Sequence, residues 1–415
     1  MYYKLLFFFL NKFYFNTRKT SEQLVENISP EIACLQSNYF ASPAKWHLAH
    51  TTWFFEEVIL KKFFPKYRQF DNRFNYLFNS YYESLKGYFP RNKRGLIFSP
   101  SFNEVMNYRK HVDDFFTKII QKNSKDFLKI NKLLILGCHH EQQHQELLLM
   151  DLKNLFFQIP INHYLKKKVS SNKDSNFISP KYYDFEKGQY FFGAKNDENF
   201  VYDNERNGHY TYLDKFKISK YLVTNAEYLE FISDNGYKNF KFWLSDGFDW
   251  IKKNNISSPL YWIKHKNKFY EFTINGFSEL NLDLPVTHIS YYEADAFARW
   301  SGKRLPTEFE WELCSKNFGI SGNFLESCNY HTISEKENHS FCGNAWNWTS
   351  SYYIPYPGFK PFKGILAEYN NKFMANQLVL RGGSCLTPKS HYRHTYRNFF
   401  YPHDRWQMSS IRLAI

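Results

Sequence analysis

Apolar positions recur every three to four residues through the first part of the chain, and then that rhythm stops. Val105, Tyr108, Val112 and Phe116 mark one face of a helix predicted over Ser101–Lys122. Leu133–Phe157 keeps a helical pattern with no Pro or Gly after Gly137. Ser42-Pro43 puts a proline in a first turn, where its missing N–H costs little, and predicts a helix from Ala44 to Phe63 that ends near Pro65. Ser21–Leu35 is a further candidate, broken or restarted at Pro30. Four long amphipathic helices in residues 1–164 predict a helical bundle, an architecture that builds metal sites from side chains on facing helices. The connection Phe64–Pro100 is long for a bundle, and long ordered loops tend to carry function.

Residues 165–180 are rich in Lys, Ser and Asn and read as a linker. Beyond it, in 181–415, short apolar runs such as Tyr190-Phe191-Phe192 sit between Gly, Asn and Asp turns. Two helices stand out there, Asn225–Ser233 and Ser290–Ser301. The pattern predicts an α+β multidomain protein: a helical bundle, then an irregular second domain with much loop.

The candidate chemistry begins at Cys138–Met150. His140 and His144 are four apart, so one helix face presents both imidazoles to one point. Three readings of that pair stand side by side. His140-Glu141-Gln142-Gln143-His144 fits the H-E-x-x-H pattern of zinc hydrolases, with Glu141 as general base. The same spacing suits a non-haem iron site with open positions. It also fits a polar helix face that holds no metal. A metal site needs a third ligand, and Pro43–Glu56 offers one. His50 shares a face with Trp46, Trp53 and Phe54, whereas His47 lies about 60° around the helix and reads as a supporting or surface residue. Taken alone, His50 is also compatible with a hydrogen-bonded core histidine.

The totals narrow the classes. The chain has 415 residues, enough for two domains, and aromatic residues make up 21% of it. The net charge of +14 is spread along the chain, and no motif supports nucleic-acid binding. The six cysteines form no C-x-x-C pair, so a reducing, cytoplasmic setting is expected rather than a disulfide framework. The apolar run Leu5–Leu10 is too short for a signal peptide core, and no run reaches the length of a membrane span.

Six motifs in order carry a family resemblance. They are Pro43–Glu56, Phe78–Glu83, His140–Asp151, Arg304–Glu312, Gly343–Ser350 and Arg381–Ser384. Together they resemble the ergothioneine-biosynthesis sulfoxide synthases. That family joins a DinB-like four-helix bundle to a C-type-lectin-like domain of the formylglycine-generating-enzyme (sulfatase-modifying) type. The resemblance spans about Ser21 to Ile415. It implies Fe(2+) held by His50, His140 and His144, and an oxygen-dependent C–S bond between hercynine and cysteine or γ-glutamylcysteine.

It further implies that Gln143 hydrogen-bonds the hercynine imidazole, and that Tyr81 and Tyr82 supply a proton or hydrogen atom. Arg91 and Arg94 would bind the carboxylate of the thiol, and Asn398 would contact the betaine end of hercynine. The lectin-like domain would close the pocket, with Trp346 and Trp348 in its core. Phe399 and Phe400 stand where γ-glutamylcysteine users carry an acidic residue, and Gln377-Leu378 stand where they carry a tyrosine. With Tyr81-Tyr82, these departures resemble the branch that uses free cysteine. Cys385 is the last cysteine, so formylglycine generation is not expected, and with no methyltransferase segment following residue 415 an ovothiol-type synthase is not expected either. Sister activities on histidine (5-histidylcysteine sulfoxide) or with selenium (selenoneine) remain open alternatives, with an H-E-x-x-H zinc hydrolase a remote one.

Overall fold

The computed structural model describes residues 2–83, 87–119, 126–159, 182–195, 200–335 and 341–415. The chain divides into two compact units, Met1–Leu165 and Lys166–Ile415. The linker expected at 165–180 lies outside the described residues.

The first unit is helical. It comprises α1 (Tyr2–Gln23), the short α2 (Pro30–Ala33), α3 (Ala44–Phe55), α4 (Lys61–Phe63), α5 (Phe74–Leu77), α6 (Phe102–Ile119) and α7 (Phe127–Gln158). A π-helical turn, Glu56–Leu60, joins α3 to α4 without a break, so the helix expected over 44–63 is continuous. Helices α6 and α7 also lie where the periodicity places them, although α7 starts six residues earlier than Leu133. The first bundle helix is a correction: it is Tyr2–Gln23, not Ser21–Leu35, which folds mostly as turns around α2. The reason is chemical. The buried residues of α1 include Tyr14, Thr17, Arg18 and Ser21, which lie at helical spacing but are largely polar, so a search for apolar periodicity passes over them.

Those polar residues are satisfied across the bundle. Arg18 donates to Glu141 Oε2 at 3.0 Å and to Asp113 Oδ1 at 2.9 Å. Arg109 on α6 donates to Glu141 Oε1 at 2.9 Å. Burial raises the cost of charging Glu141, but the two guanidiniums outweigh it and hold the carboxyl down at about 2. At the start of the π-helical turn, Glu56 accepts from Tyr67 at 2.5 Å, from Tyr108 at 2.6 Å and from the Phe70 N–H at 3.2 Å. The long connection after α4 is thereby tied to the bundle.

The second unit mixes small sheets with helices. Its strands are β1 (Tyr182–Phe185), β2 (Gly188–Phe192), β3 (His209–Leu213), β4 (Phe216–Leu222), β5 (Trp262–His265), β6 (Lys268–Thr273), β7 (Gly276–Glu279), β8 (Trp346–Tyr352), β9 (Leu378–Arg381), β10 (Asn398–Phe400), β11 (Ser409–Ser410) and β12 (Arg412–Ala414). They form sheets ordered β1-β4-β12, β10-β9-β8-β11, β2-β3 and β5-β6-β7. The helices are α8 (Asn225–Ser233), α9 (Ser245–Lys253), α10 (Tyr291–Trp300) and α11 (Glu308–Ser315). Helices α8, α10 and α11 each begin with a capping box, at Thr224/Glu227, Ser290/Glu293 and Thr307/Glu310. Helices α9 and α11 were not expected from periodicity, being short and charged.

Three of the sequence motifs meet in this core. Glu312 of α11 ion-pairs with Arg381, and Glu308 takes a two-bond fork from Arg397 at 2.8 and 3.0 Å. The Trp311 indole donates to Asn347 at 2.9 Å, and Arg412 donates to the same oxygen at 2.8 Å. Trp346 and Trp348 are buried, as expected. The motifs of this unit are therefore its structural frame. All six cysteines are free thiols. Among the described residues, no helix is long and apolar enough to cross a membrane.

Gly137 tests the contact between α3 and α7. A Cβ there would fall 2.4 Å from Cε1 of the fully buried Phe55. Helix propensity alone would make Gly137→Ala stabilising by about 1 kcal/mol. Overpacking against a rigid ring reverses the sign, so the variant is expected to lose about 1–3 kcal/mol in denaturant unfolding. A stabilised variant would show that the two helices are not in tight contact at this point.

Candidate metal centre

His50 on α3 and His140 and His144 on α7 offer ligand nitrogens that all lie within 4.8 Å of one another. The two helices supply the residues at spacings of one turn, which brings the rings to one level of the bundle. For His50 and His144 the structure also shows which nitrogen is free to face a metal. Nδ1 of His50 lies 2.6 Å from the Phe78 carbonyl, a bond that requires its proton and leaves Nε2 as a lone pair. Nδ1 of His144 lies 2.8 Å from Nδ1 of His47, whose Nε2 lies 2.9 Å from Asp151 Oδ2. Asp151 Oδ2 also accepts the Ser42 N–H at 2.8 Å. Buried carboxylate–histidine chains of this kind commonly orient metal ligands.

The donor set fits a transition metal. Nε2 of His50 and Nε2 of His140 stand 3.2 Å apart. Two nitrogens at about 2.1 Å from one metal, separated by roughly a right to a tetrahedral angle, lie about 3.0–3.4 Å apart. All three rings are held neutral. Burial pushes His140 down to about 3. Burial and the neighbouring His140 push His50 well below the ordinary imidazole range. Burial and the other imidazoles do the same to His144. Neutral imidazole is the form that binds metal.

Aromatic rings wall the triad. Trp46 stacks on His50 with centroids 4.5 Å apart and planes at 12°, and Trp53 stacks on the same ring at 5.5 Å. Tyr82 packs on Trp53 at 5.8 Å and Tyr81 on Tyr82 at 4.7 Å. Asn79 holds this turn by bonding the Tyr82 N–H and carbonyl and the Gly87 carbonyl, at 2.9–3.0 Å. On the other flank, the Arg94 guanidinium lies 3.4 Å from the Trp46 ring centroid and donates to Ser42 Oγ at 2.9 Å. Arg94 is buried, its Nε has no hydrogen-bond partner, and among the described residues no carboxylate ion-pairs with it. Burial first, then the Arg91 charge, pull it well below the usual arginine range.

The expected site residues separate on this geometry. His50, His140 and His144 converge, with Arg94 joined to them through Trp46 and Tyr82 through Trp53. Gln143 is half-buried beside His144 on α7. Arg91 differs from Arg94 in being exposed, and its carbonyl accepts from Gln36 at 2.8 Å. Asn398 opens β10 of the second unit, where its side chain accepts the Phe399 N–H at 2.9 Å. Glu141, the base required of a zinc hydrolase, is locked between Arg18 and Arg109, with each carboxylate oxygen bonded to an arginine. Sequence reasoning missed Asp151 and left His47 undecided. The available signals were spacing: Asp151 lies seven residues beyond His144, two turns along the same face.

Two measurements check this description. In the metal-free protein His140 titrates at about 3 when folded and near 6.5 when unfolded. Between those values the unfolded chain binds more protons, so stability is full above about pH 6.5 and falls as pH drops toward 3. The melting temperature of metal-free protein is expected to fall between pH 7 and 5, and less steeply in His140→Gln. Separately, Glu141→Gln is expected to destabilise the fold by about 3 kcal/mol, because it removes the anion that two buried guanidiniums share, leaving Arg18 with only Asp113 and Arg109 with only the partly exposed Glu22. A Glu141→Gln protein with wild-type stability would remove the structural role assigned to this residue.

Comparison with known proteins agrees with the reading of the second unit. Residues 175–340 match the family described as sulfatase-modifying factor enzyme 1-like domain. Hercynine oxygenase of Mycobacterium tuberculosis is 30% identical over 244 residues, covering 52% of this chain and 56% of that protein. The hercynine oxygenase of Mycolicibacterium smegmatis is 31% identical over 242 residues, covering 51% and 55%. Formylglycine-generating enzyme of Streptomyces coelicolor is 25% identical over 256 residues, covering 51% and 80%. The chain thus spans about half the length of the hercynine oxygenases it matches. The chain is an α+β multidomain protein similar to the hercynine oxygenases over about half its length, with a sulfatase-modifying-factor-like domain matched at residues 175–340.

Proposed function

We propose that this protein is an iron(II)- and O2-dependent sulfoxide synthase that joins hercynine to a thiol in ergothioneine biosynthesis, with cysteine preferred to γ-glutamylcysteine. The observation that carries the proposal is a neutral three-histidine centre beside a buried arginine with which, among the described residues, no carboxylate ion-pairs. His50, His140 and His144 would hold the iron, which when bound would supply Lewis acidity and one-electron chemistry with oxygen. Three neutral ligands contribute no negative charge, which favours binding of the substrate thiol as thiolate. The overall conversion balances as thiol, imidazole C–H and O2 giving the C–S-bonded sulfoxide and one water.

The protein's own side chains have distinct tasks in this reading. Arg94, with its fork fixed by Ser42 and Trp46, would pair with the carboxylate of the thiol donor and set the sulfur's distance from the metal. Arg91, being exposed, would contribute less. Gln143 would donate to the hercynine imidazole from the turn between the two α7 ligands. Tyr82 and Tyr81, held by Asn79 and stacked outward from Trp53, would deliver a proton or hydrogen atom. Asn398 is assigned to the betaine end of hercynine on the family resemblance alone. The preference for free cysteine rests on Phe399 and Phe400 after Asn398 and on Gln377 before β9.

Protein loaded anaerobically with ferrous iron and given oxygen, hercynine and either thiol should yield a product containing both substrates, less two hydrogens and plus one oxygen, by mass spectrometry. Reaction with histidine or a selenium donor alone would assign a sister activity, and protein shown to hold iron that couples nothing would refute the proposal. Arg94→Gln is expected to raise the KM for cysteine about 30-fold or more, the equivalent of ~2 kcal/mol for a buried charge pair. Arg91→Gln should change it only about threefold, as befits an exposed charge.

A further inference from the structure

Both halves of the proposed site are anchored to one carboxylate. Asp151 lies two turns beyond His144 on the same face of α7. Its Oδ2 pairs with His47, which holds Nδ1 of the ligand His144. The same Oδ2 takes the Ser42 N–H, and Ser42 Oγ takes the Arg94 guanidinium. A continuous chain therefore runs His144–His47–Asp151–Ser42–Arg94. His47, Asp151, Ser42 and Arg94 are each no more than 4% exposed. Asp151 Oδ1 and Arg94 Nε are buried at this junction without hydrogen-bond partners, so the carboxylate is held by only one of its oxygens.

A carboxylate buried in the interior is costly unless its bonds are made. Here those bonds reach out to two different functional groups. We propose that Asp151 is a positioning residue for both: through His47 it fixes the ring of the metal ligand His144, and through Ser42 it fixes the fork of Arg94 that receives the carboxylate of the thiol donor. The inference rests on the proposed assignment of Arg94. It implies that the metal and the carboxylate subsite share a rigid spacing, set by Ser42 at the entry to α3 and by Asp151 on α7. A thiol donor with a carboxylate at the matching distance from its sulfur is selected by that spacing, and cysteine, two carbons from sulfur to carboxylate, is the probe.

Three substitutions separate the two arms. Asp151→Asn cuts the junction, His47→Gln cuts only the metal arm, and Ser42→Ala removes only the hydroxyl that holds Arg94 while leaving the backbone N–H to Asp151. Ferrous affinity is measured by anaerobic titration of metal-free protein. Thiol preference is measured as the ratio of affinities for cysteine and for cysteamine, which lacks the carboxylate, from the visible spectrum of cobalt(II)-loaded protein. His47→Gln is expected to weaken ferrous binding by on the order of 10-fold or more and to keep the cysteine preference. Ser42→Ala is expected to keep ferrous affinity and to reduce the preference by about fivefold, one hydrogen bond's share. Asp151→Asn should do both. Wild-type protein with a clear cysteine preference, combined with an Asp151→Asn variant that alters only one property, would overturn the inference alone. Wild-type protein with no preference for cysteine over cysteamine would overturn the carboxylate assignment of Arg94, and the inference with it.

Discussion

An imidazole has two nitrogens, and a hydrogen bond to one fixes which of them can face a metal. In the dry interior of a bundle such a bond matters, because an unsatisfied ring N–H costs free energy. For His50 the Phe78 carbonyl supplies it, and for His144 the His47–Asp151 pair does. Much of the first unit follows from these bonds. The Phe78 carbonyl has to be delivered to α3 by a chain that leaves the bundle after α4. That is why Glu56 ties back Tyr67 and Phe70 and why Trp46 bonds the Leu77 carbonyl at 3.0 Å.

The same reasoning explains why the bundle interior is so polar. Arg18, Arg109 and Glu141 form a buried triad a single residue from His140. A buried triad of this kind contributes little net stability compared with apolar packing, but removing one member is severe. Its effect is to fix the rotation of α7 about its own axis. With Glu141 bound to α1 and α6, His140 and His144 are left to face α3. The residue that a motif search would name as a general base is thereby assigned to architecture, and the zinc-hydrolase pattern is met in letters without the geometry it needs.

What the sequence made legible follows the same line. Helices α6 and α7 have apolar positions at regular spacing and were readable, as was α3 from its first-turn proline. The His140/His144 pair was readable from its local i,i+4 geometry, whereas His50 joined that pair only through its aromatic helix face and the family resemblance. Helix α1 was not readable, since its inward stripe of Tyr14, Thr17, Arg18 and Ser21 satisfies itself by long-range pairs that no local pattern encodes. Asp151 was overlooked for a similar reason: its role depends on His47 from another helix. The division between Arg91 and Arg94 was equally hidden. The two arginines are three residues apart in one 3-10 helical segment, Arg91–Leu96, and only the fold decides which is buried. In the second unit the motifs were visible because Glu308, Glu312, Trp311, Asn347 and Arg381 form its core. That makes them good markers of fold and poor markers of chemistry.

Trp46 shows how closely the parts are bound together. One indole stacks on the ligand His50, lies under the Arg94 guanidinium and donates its N–H to the Leu77 carbonyl. A stacked cation prefers the electron-rich ring face, so the ring that orients the ligand also places the positive charge. Arg94 is then held by the ring and by Ser42, and among the described residues no carboxylate ion-pairs with it, a costly arrangement for a buried guanidinium. Such a cost is tolerated where an anion arrives as part of function, because binding then recovers what folding gave up. Under the proposed function, the Arg94 fork beside the three imidazoles is therefore the feature that would receive the carboxylate of the thiol donor.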